Sequence, residues 1–245
     1  FKMQGIFEDY QLSFYIIQPP TPERVKYDIF DRVNRGGTRL TNQEMRNALY
    51  KGHSTVMLKD LAASSVFLNA TGRGISSKRM KDQYVILRSI AFYLLKKKQH
   101  EVLEQNGETI EYKSDIDDFL AKTMIFLNEK ASKELLEDCK NTFYRAMDNC
   151  YNVLGRDAFR FDSESGNRRP INMPLFEVLM YVFSDNKLME DVDYTKKEVE
   201  NFKRKFDHQQ MFSGNVDSTT NLNDRYDLAE ELIKQISDAI KTNNK

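Results

Sequence analysis

The sequence is poor in cysteine and histidine, has no long hydrophobic run and carries no excess of either charge. Lysine plus arginine and aspartate plus glutamate each number 37, so the overall composition does not favour nucleic acid or an anionic membrane as a partner. The longest apolar stretches, such as 89–95, are far shorter than the ~20 residues of a membrane-spanning helix. The first ten residues lack the basic and hydrophobic regions of a signal peptide. We therefore expect a protein without membrane spans, in which any anion site is local.

The two cysteines indicate a reducing compartment. Cys139 and Cys150 lie in one predicted helix, about 16 Å apart at ~1.5 Å per residue, which is too far for a disulfide. We therefore expect a cytoplasmic protein. The three histidines are scattered and form no zinc-binding motif, so no metal site is predicted.

Most of the chain has the periodicity of helices. A hydrophobic content of 40% over 245 residues is enough for a sizeable core. Beyond residue 51 the sequence predicts helices over 56–68, 78–96, 114–127, 132–154, 174–184, 195–208 and 223–242. The centre of 78–96 is apolar around most of its circumference, which predicts a helix in the core of a bundle.

The first fifty residues have a different pattern. The segment 10–18 is aromatic and β-branched and ends at two prolines, which predicts a strand. Thr21 then caps a predicted helix with Val25, Ile29 and Val33 on one face. We therefore expect a mainly α protein, in which residues 1–52 form a short α/β piece and residues 53–245 form a multi-helix bundle.

The segment 29–50, IFDRVNRGGTRLTNQEMRNALY, is the most informative part of the sequence. A helix is predicted to end in an Asn-Arg-Gly-Gly turn, after which Thr41 and Glu44 have the spacing of a capping box at the start of a second helix. Asn34, Gly36 and Gly37 tolerate positive φ, so the loop can turn its N–H groups inward and approach a ligand closely.

The charge of the same segment favours an anion. From Arg32 to Lys51 the only acidic residue is Glu44, so the net charge is +4; the basic residues are Arg32, Arg35, Arg39, Arg46 and Lys51. Amide groups, a helix N-terminus and arginines together are suited to a phosphate. The alternative is a tight corner between two helices in which the glycines solve only a steric problem.

This segment resembles the second signature of the GmrSD-type restriction proteins. The matching residues are Ile29, Phe30, Arg32, Asn34, Gly36, Gly37, Leu40, Glu44 and Arg46. Four later blocks resemble the family's helical region in content and order: LRSIAFYLL (87–95), FRF (159–161), RRPINMPLFEVLM (168–180) and SGNVDSTTNLNDR (213–225). The first signature of the family, DGQQR, does not occur in the sequence.

The resemblance implies a fold and a function. It implies that residues 1–52 are the C-terminal part of a ParB/sulfiredoxin-like domain, the part that follows DGQQR. It also implies a nucleotide-binding, DNA-sensing component of an anti-phage restriction system that acts on modified DNA. The nucleotide or phosphate would be bound by Arg32, Asn34, Arg35, Gly36, Gly37 and Thr38.

The resemblance has further consequences for chemistry. Full-length relatives imply a nucleoside triphosphate and Mg²⁺ as ligands and an HNH nuclease domain or subunit as a partner. Glu44 would either order the helix or help to hold the divalent ion. Because DGQQR and a His-Asn-His signature are both missing from these residues, we expect the chain alone to be inactive. The alternative function is that of a non-catalytic helical interaction or nucleic-acid-binding module.

A second candidate site lies around residues 155–169. Four arginines, Arg156, Arg160, Arg168 and Arg169, accompany Phe159 and Phe161 in a loop that contains glycine and serine. Arginines beside aromatic rings can contact nucleic acid by stacking on bases. In the alternative interpretation the two phenylalanines plug the core and the loop only joins two helices.

Overall fold

The computed structural model describes residues 4–5, 8–11, 14, 16–18, 20–34, 36–97, 109–163 and 166–243. It is mainly helical, with 71% helix and no strand among these residues, which confirms the predicted fold class. Eleven α-helices are defined within the described ranges, in this order: α1 Glu23–Asn34, α2 Asn42–Leu49, α3 His53–Ala63, α4 Ser65–Ala70, α5 Lys81–Lys97, α6 Ile116–Glu129, α7 Lys133–Leu154, α8 Met173–Val182, α9 Val192–Phe206, α10 Gln210–Ser213 and α11 Thr219–Asn243.

The backbone contacts divide the chain into two compact units, Phe1–Leu40 and Thr41–Lys245. The division into a ParB-like part and a helical domain at residue 52 stays a prediction, because it is a statement about family membership. The structure does place α2 in the same compact unit as the later helices.

The first unit differs from the predicted α/β piece. Within the segment predicted as a strand, the described residues 10–11, 14 and 16–18 are not in a strand; residues 12, 13 and 15 lie outside the described ranges. The strand prediction is therefore corrected for the described residues. The physical reason is that strand-forming side chains alone are not sufficient, since a strand is stable only when it is hydrogen-bonded to a neighbour.

The helix of the first unit forms as predicted, but its apolar face is not buried. Val25, Ile29 and Val33 are spaced for one face of α1, and they are 41%, 40% and 75% exposed. Phe14 and Ile16, which precede the helix, are about four-fifths exposed. Periodicity therefore predicted the helix correctly without predicting what it packs against.

The second unit is a bundle around the short apolar helix α8. Every residue from Pro174 to Val182 is buried in it, and α8 packs against α5, α7 and α11. Its start is fixed by Asn172, whose side chain accepts a hydrogen bond from the N–H of Leu175. On α5 the residues Val85 to Leu94 are all buried, which confirms the predicted core helix.

Two helix starts show how local capping decides the boundaries. Ser132 caps α7 as predicted, and its hydroxyl accepts from the N–H of Leu135. Ser114 does not cap α6 as predicted, because it adopts a φ of 61°; Asp115 is the cap instead and accepts from the N–H of Asp118. A carboxylate at this position also complements the positive end of the helix dipole.

The other elements agree with the expected ones within a few residues. The helix predicted over 56–68 is two helices, since Ser64 ends α3 and caps α4 through a hydrogen bond from the N–H of Phe67. Within the described ranges no helix is both long and apolar enough to span a membrane.

Candidate functional site: an exposed glycine loop and two charged clusters

The predicted phosphate loop follows the last turn of α1. Arg32 is exposed in that turn, and the Nδ2 of Asn34 donates a 2.8 Å hydrogen bond to the carbonyl of Phe30. This bond satisfies one of the carbonyls that a helix leaves unpaired at its C-terminus. Arg35 lies outside the described residues. Gly36, Gly37 and Thr38 continue the loop and are exposed.

The amide groups of the two glycines are only weakly satisfied. The N–H of Gly36 donates to Val33 O at 3.5 Å and that of Gly37 donates to Asn34 O at 3.4 Å. Ordinary bonds of this kind are about 2.9–3.0 Å long, so these two are weak. Both amides face the last turn of α1, and binding an anion requires them to turn away from these carbonyls.

The glycines are not required by the backbone angles or by the packing. Neither Gly36 nor Gly37 has positive φ, unlike Gly72, Gly155 and Gly166. A Cβ at Gly37 would meet no atom within 4 Å, and one at Gly36 would come no closer than 3.8 Å to Val33 O. Packing and backbone angles therefore do not by themselves require glycine at these two positions.

The capping box between Thr41 and Glu44 is confirmed. The hydroxyl of Thr41 accepts from the N–H of Glu44, and the Glu44 carboxylate accepts from the N–H of Thr41 at 2.7 Å. This backbone bond is the main reason that the pKa of Glu44 is lowered, and Arg79 lowers it further. Because the carboxylate already occupies the N-terminus of α2, the dipole of that helix is neutralised by a residue of the chain.

One arginine of the 32–51 segment is internal. The Arg46 side chain is buried, and its Nη1 donates to Asp117 at 2.6 Å while Nε and Nη2 donate to Gln43. Arg46 is therefore a structural residue of the second unit. In the first unit, Arg39 lies 3.8 Å from Asp31 and is 69% exposed. The local positive charge is consequently smaller than the sequence count predicts.

The four arginines of the second candidate site surround one loop, and three of them serve to hold it. Arg168 donates to Asp157 at 2.5 Å and to the carbonyl of Arg156 at 3.0 Å. Arg169 donates to Asp207 at 2.5 Å, and Arg160 donates to the carbonyl of Arg169. These bonds fix the path of the loop.

The remaining members of this loop separate into buried and exposed ones. Arg160 is 8% exposed, and its burial together with the nearby Arg168 lowers its pKa. Arg156 has a side chain that is 75% exposed. Phe159 and Phe161 are 1% and 4% exposed and belong to the core. Their rings are therefore not accessible for stacking on bases, as the alternative interpretation predicts.

A third cluster, which the sequence did not predict, lies inside the bundle. Glu177 on α8 accepts from Arg88 on α5 at 2.5 Å and from Arg225 on α11 at 2.8 Å. The side chains of these three residues are at most 2% exposed. Asp217, in the turn before α11, accepts from Arg88 at 2.7 Å. Two arginines thus meet two carboxylates at the centre of the second unit.

The internal cluster joins segments that are far apart in sequence. Arg88 lies in the block 87–95, Glu177 in the block 168–180, and Asp217 and Arg225 in the block 213–225. These are three of the blocks that resemble the restriction family. Burial lowers the pKa of Arg88, but Glu177, Tyr84 and Asp217 together more than offset it, so the pKa is raised and the guanidinium stays charged.

No match appears in comparisons with protein-family models, curated proteins or solved structures. The internal ion pairs have partners within the protein, and the arginines of 155–169 mainly support their own loop. The glycine loop after α1 offers two neighbouring, exposed backbone donors whose hydrogen bonds are long.

Proposed function

We propose that this chain is part of the nucleotide-binding, DNA-sensing component of a GmrSD-like anti-phage restriction system acting on modified DNA. The observation that carries the proposal is the pair of weak hydrogen bonds made by the Gly36 and Gly37 amides in an exposed loop. The signature residues that precede and follow the loop resemble those of that family. In this proposal the protein works in the cytoplasm, where invading DNA is met.

The loop has donors that suit a phosphate group. A phosphate oxygen would offer the two amides shorter, charge-assisted bonds than the carbonyls that they now face at 3.4–3.5 Å. The exposed side chains of Arg32 and Thr38 supply a positive charge and a hydroxyl beside them. The side chain of Asn34 stabilises the start of the loop through its hydrogen bond to the carbonyl of Phe30.

The metal and the partner follow from the same proposal. A nucleoside triphosphate arrives as its Mg²⁺ complex, and the ion would supply positive charge against the phosphates. Glu44 is assigned to the capping box, because both halves of the box are formed and its carboxylate is already bonded there. DNA cleavage would require an HNH nuclease domain or subunit.

A second function is favoured by the arginines of the 155–169 loop. Arg156 is exposed beside three arginines that hold the loop in place. This arrangement suits a non-catalytic helical module that binds a nucleic acid or another protein, and it requires no nucleotide at residues 32–38.

Calorimetric titration with a nucleoside triphosphate and Mg²⁺ distinguishes the two functions. We expect the wild-type chain to bind and Gly37→Val to lose binding, because a branched side chain blocks the approach to the backbone. Gly5→Val is the matched control, since a Cβ at Gly5 also meets no atom within 4 Å but the residue lies outside the loop. Equal affinity in wild type and Gly37→Val would remove the loop from the site and leave the second function.

A further inference from the structure

A second loop of the larger unit is strongly basic although the protein is neutral. The segment 71–81, TGRGISSKRMK, contains four basic residues and no acidic one. The basic residues are Arg73, Lys78, Arg79 and Lys81, and all four are exposed. Since the whole chain has a net charge of zero, this loop is a local concentration of positive charge.

The backbone of this loop is held in an uncommon conformation. Arg73, Arg79 and Met80 have φ values of 54°, 58° and 58°, in the left-handed region that side chains other than glycine rarely adopt. Each such residue costs on the order of 1 kcal/mol, so the fold must fix the loop by other contacts. Arg79 is fixed through Glu44, whose carboxylate accepts from its Nη2 at 3.2 Å.

The basic loop lies against the arginines of the 155–169 loop. A Cβ at Gly72 would lie 2.5 Å from Nη2 of Arg168 and 3.0 Å from the carbonyl of Arg156. A Cβ at Gly74 would collide with the guanidinium of Arg160. The two glycines therefore allow two basic loops to pack side by side.

The loops 71–81 and 155–169 together form one basic surface, and its cations differ in whether they already have partners within the protein. Arg160, Arg168 and Arg169 donate to carbonyls or carboxylates of their own loop or its surroundings. By contrast, none of the described carboxylates lies within ion-pair distance of Arg73, Lys78 or Lys81. Arg156, whose side chain is 75% exposed and lies 4.0 Å from the carboxylate of Asp157, joins these three residues as an exposed cation that an external anion can reach.

We propose that the surface formed by Arg73, Lys78, Lys81 and Arg156 binds the phosphate backbone of double-stranded DNA. Several cations spaced along one loop match a polyanion better than they match a single small anion. None of the large exposed hydrophobic side chains lies in the segment 71–81, so the surface lacks the apolar residues that insert into a lipid interface. Because Phe159 and Phe161 are buried, the contact is with phosphates and is independent of base sequence.

The proposal deepens the DNA-sensing part of the proposed function, but it involves none of the residues of the glycine loop. The surface would bring the duplex to the protein, and the nucleotide would bind elsewhere. If the chain does not bind a nucleotide at the glycine loop, the DNA-binding proposal still stands. If the basic surface does not bind DNA, the proposed nucleotide site still stands.

The test is fluorescence anisotropy of a labelled random-sequence DNA duplex, titrated with the whole chain at several salt concentrations. The variant Arg73→Gln/Lys78→Gln/Lys81→Gln removes three cations. The matched control Lys196→Gln/Lys197→Gln/Lys234→Gln removes three exposed cations from α9 and α11. A charge-preserving variant, Arg73→Lys/Lys78→Arg/Lys81→Arg, shows whether charge or fold is responsible.

We expect wild-type binding that weakens steeply with salt. Each lost phosphate contact reduces the slope of log K against log salt by about 0.9, so the triple variant should lose about 2.7 from the slope. At ~0.1 M salt this corresponds to a roughly 500-fold loss of affinity. The control and the charge-preserving variant should bind like the wild type.

Three results would overturn the proposal. The first is unchanged affinity and slope in the triple variant, and the second is an equal loss in the matched control. The third is that the protein does not bind the DNA duplex but binds vesicles of anionic phospholipid, and that the triple variant loses this binding. That result would identify the surface as a membrane contact.

Discussion

Replacing Glu177 by glutamine should destabilise the protein strongly. Glu177 accepts from Arg88 and Arg225, and its side chain is 0% exposed. Glutamine has nearly the same shape but no charge, and its amide nitrogen cannot accept the hydrogen bond of an arginine. The substitution therefore leaves two buried guanidinium groups with less compensating charge than before.

The size of the effect depends on which other hydrogen-bond partners each arginine keeps when Glu177 is replaced. Arg88 keeps Asp217 at 2.7 Å and the hydroxyl of Tyr84 at 3.2 Å. Arg225 keeps only the carbonyl of Val216 as a described hydrogen-bond partner. Removing one member of a buried ion pair costs about 3–5 kcal/mol, because the remaining charge stays buried without a partner. For a unit of this size that corresponds to a fall in Tm of about 6–20 °C.

The assay is urea unfolding of the wild type and variants, followed by circular dichroism. Asp217→Asn is the internal control: Asp217 is 33% exposed and Arg88 retains Glu177, so we expect a smaller loss than for Glu177→Gln. Asp238→Asn is the surface control, since the Lys241–Asp238 pair is exposed and 3.6 Å apart; we expect a change within about 0.5 kcal/mol. A loss below about 1 kcal/mol for Glu177→Gln would refute the reasoning.

Four further outcomes are expected elsewhere. Thr41→Ala should lower the free energy of unfolding by about 1 kcal/mol by removing the cap of α2, and an unchanged value would contradict the capping box. The pKa of Glu44 in the folded protein is lowered from 4.5. The ionised carboxylate therefore stabilises the fold above pH 4.5, and this stabilisation is lost as the pH falls through the pKa of the folded state. Glu44→Gln should therefore make the free energy of unfolding less dependent on pH in this acid range. Burial raises the pKa of the Cys139 thiol to about 12 and that of Cys150 well above its ordinary value, so a thiol reagent should modify both only after unfolding, and rapid labelling of the native protein would contradict their burial. Purified residues 1–245 should release no phosphate from nucleoside triphosphates, and release that Asn34→Ala abolishes would identify a catalytic site in this chain.

Local patterns predicted the helices because their signals lie within a few residues of one another. The capping box at Thr41 and Glu44 and the cap at Ser132 are determined by neighbouring residues. The start of α6 shows the limit of this reasoning: the sequence predicted Ser114 as the cap, but Asp115 is the cap. Both residues can cap a helix, and the positive φ of Ser114 excludes it from this role. The exposed face of α1 shows that periodicity does not predict the packing partner.

The internal ion network was not predictable in the same way. Arg88 and Glu177 are 89 residues apart in sequence, and Arg225 and Glu177 are 48 apart. No spacing rule links such distant residues, and a charged residue within an apolar helix pattern is normally expected at the surface. By contrast, the basic run from Arg73 to Lys81 was visible in the sequence as four cations without an acid.

The most direct test of the proposed function is a nuclear magnetic resonance titration of the amide-labelled protein with a nucleoside triphosphate and Mg²⁺. We predict that the amide signals of Gly36 and Gly37 shift in proportion to the bound fraction, because these groups exchange long bonds to Val33 and Asn34 for bonds to phosphate. The Gly166 amide, which donates to Ser163 O at 3.3 Å in another exposed turn, should not shift. Saturable shifts elsewhere in the protein, with those of Gly36 and Gly37 unchanged, would contradict the proposal that this loop binds the nucleotide.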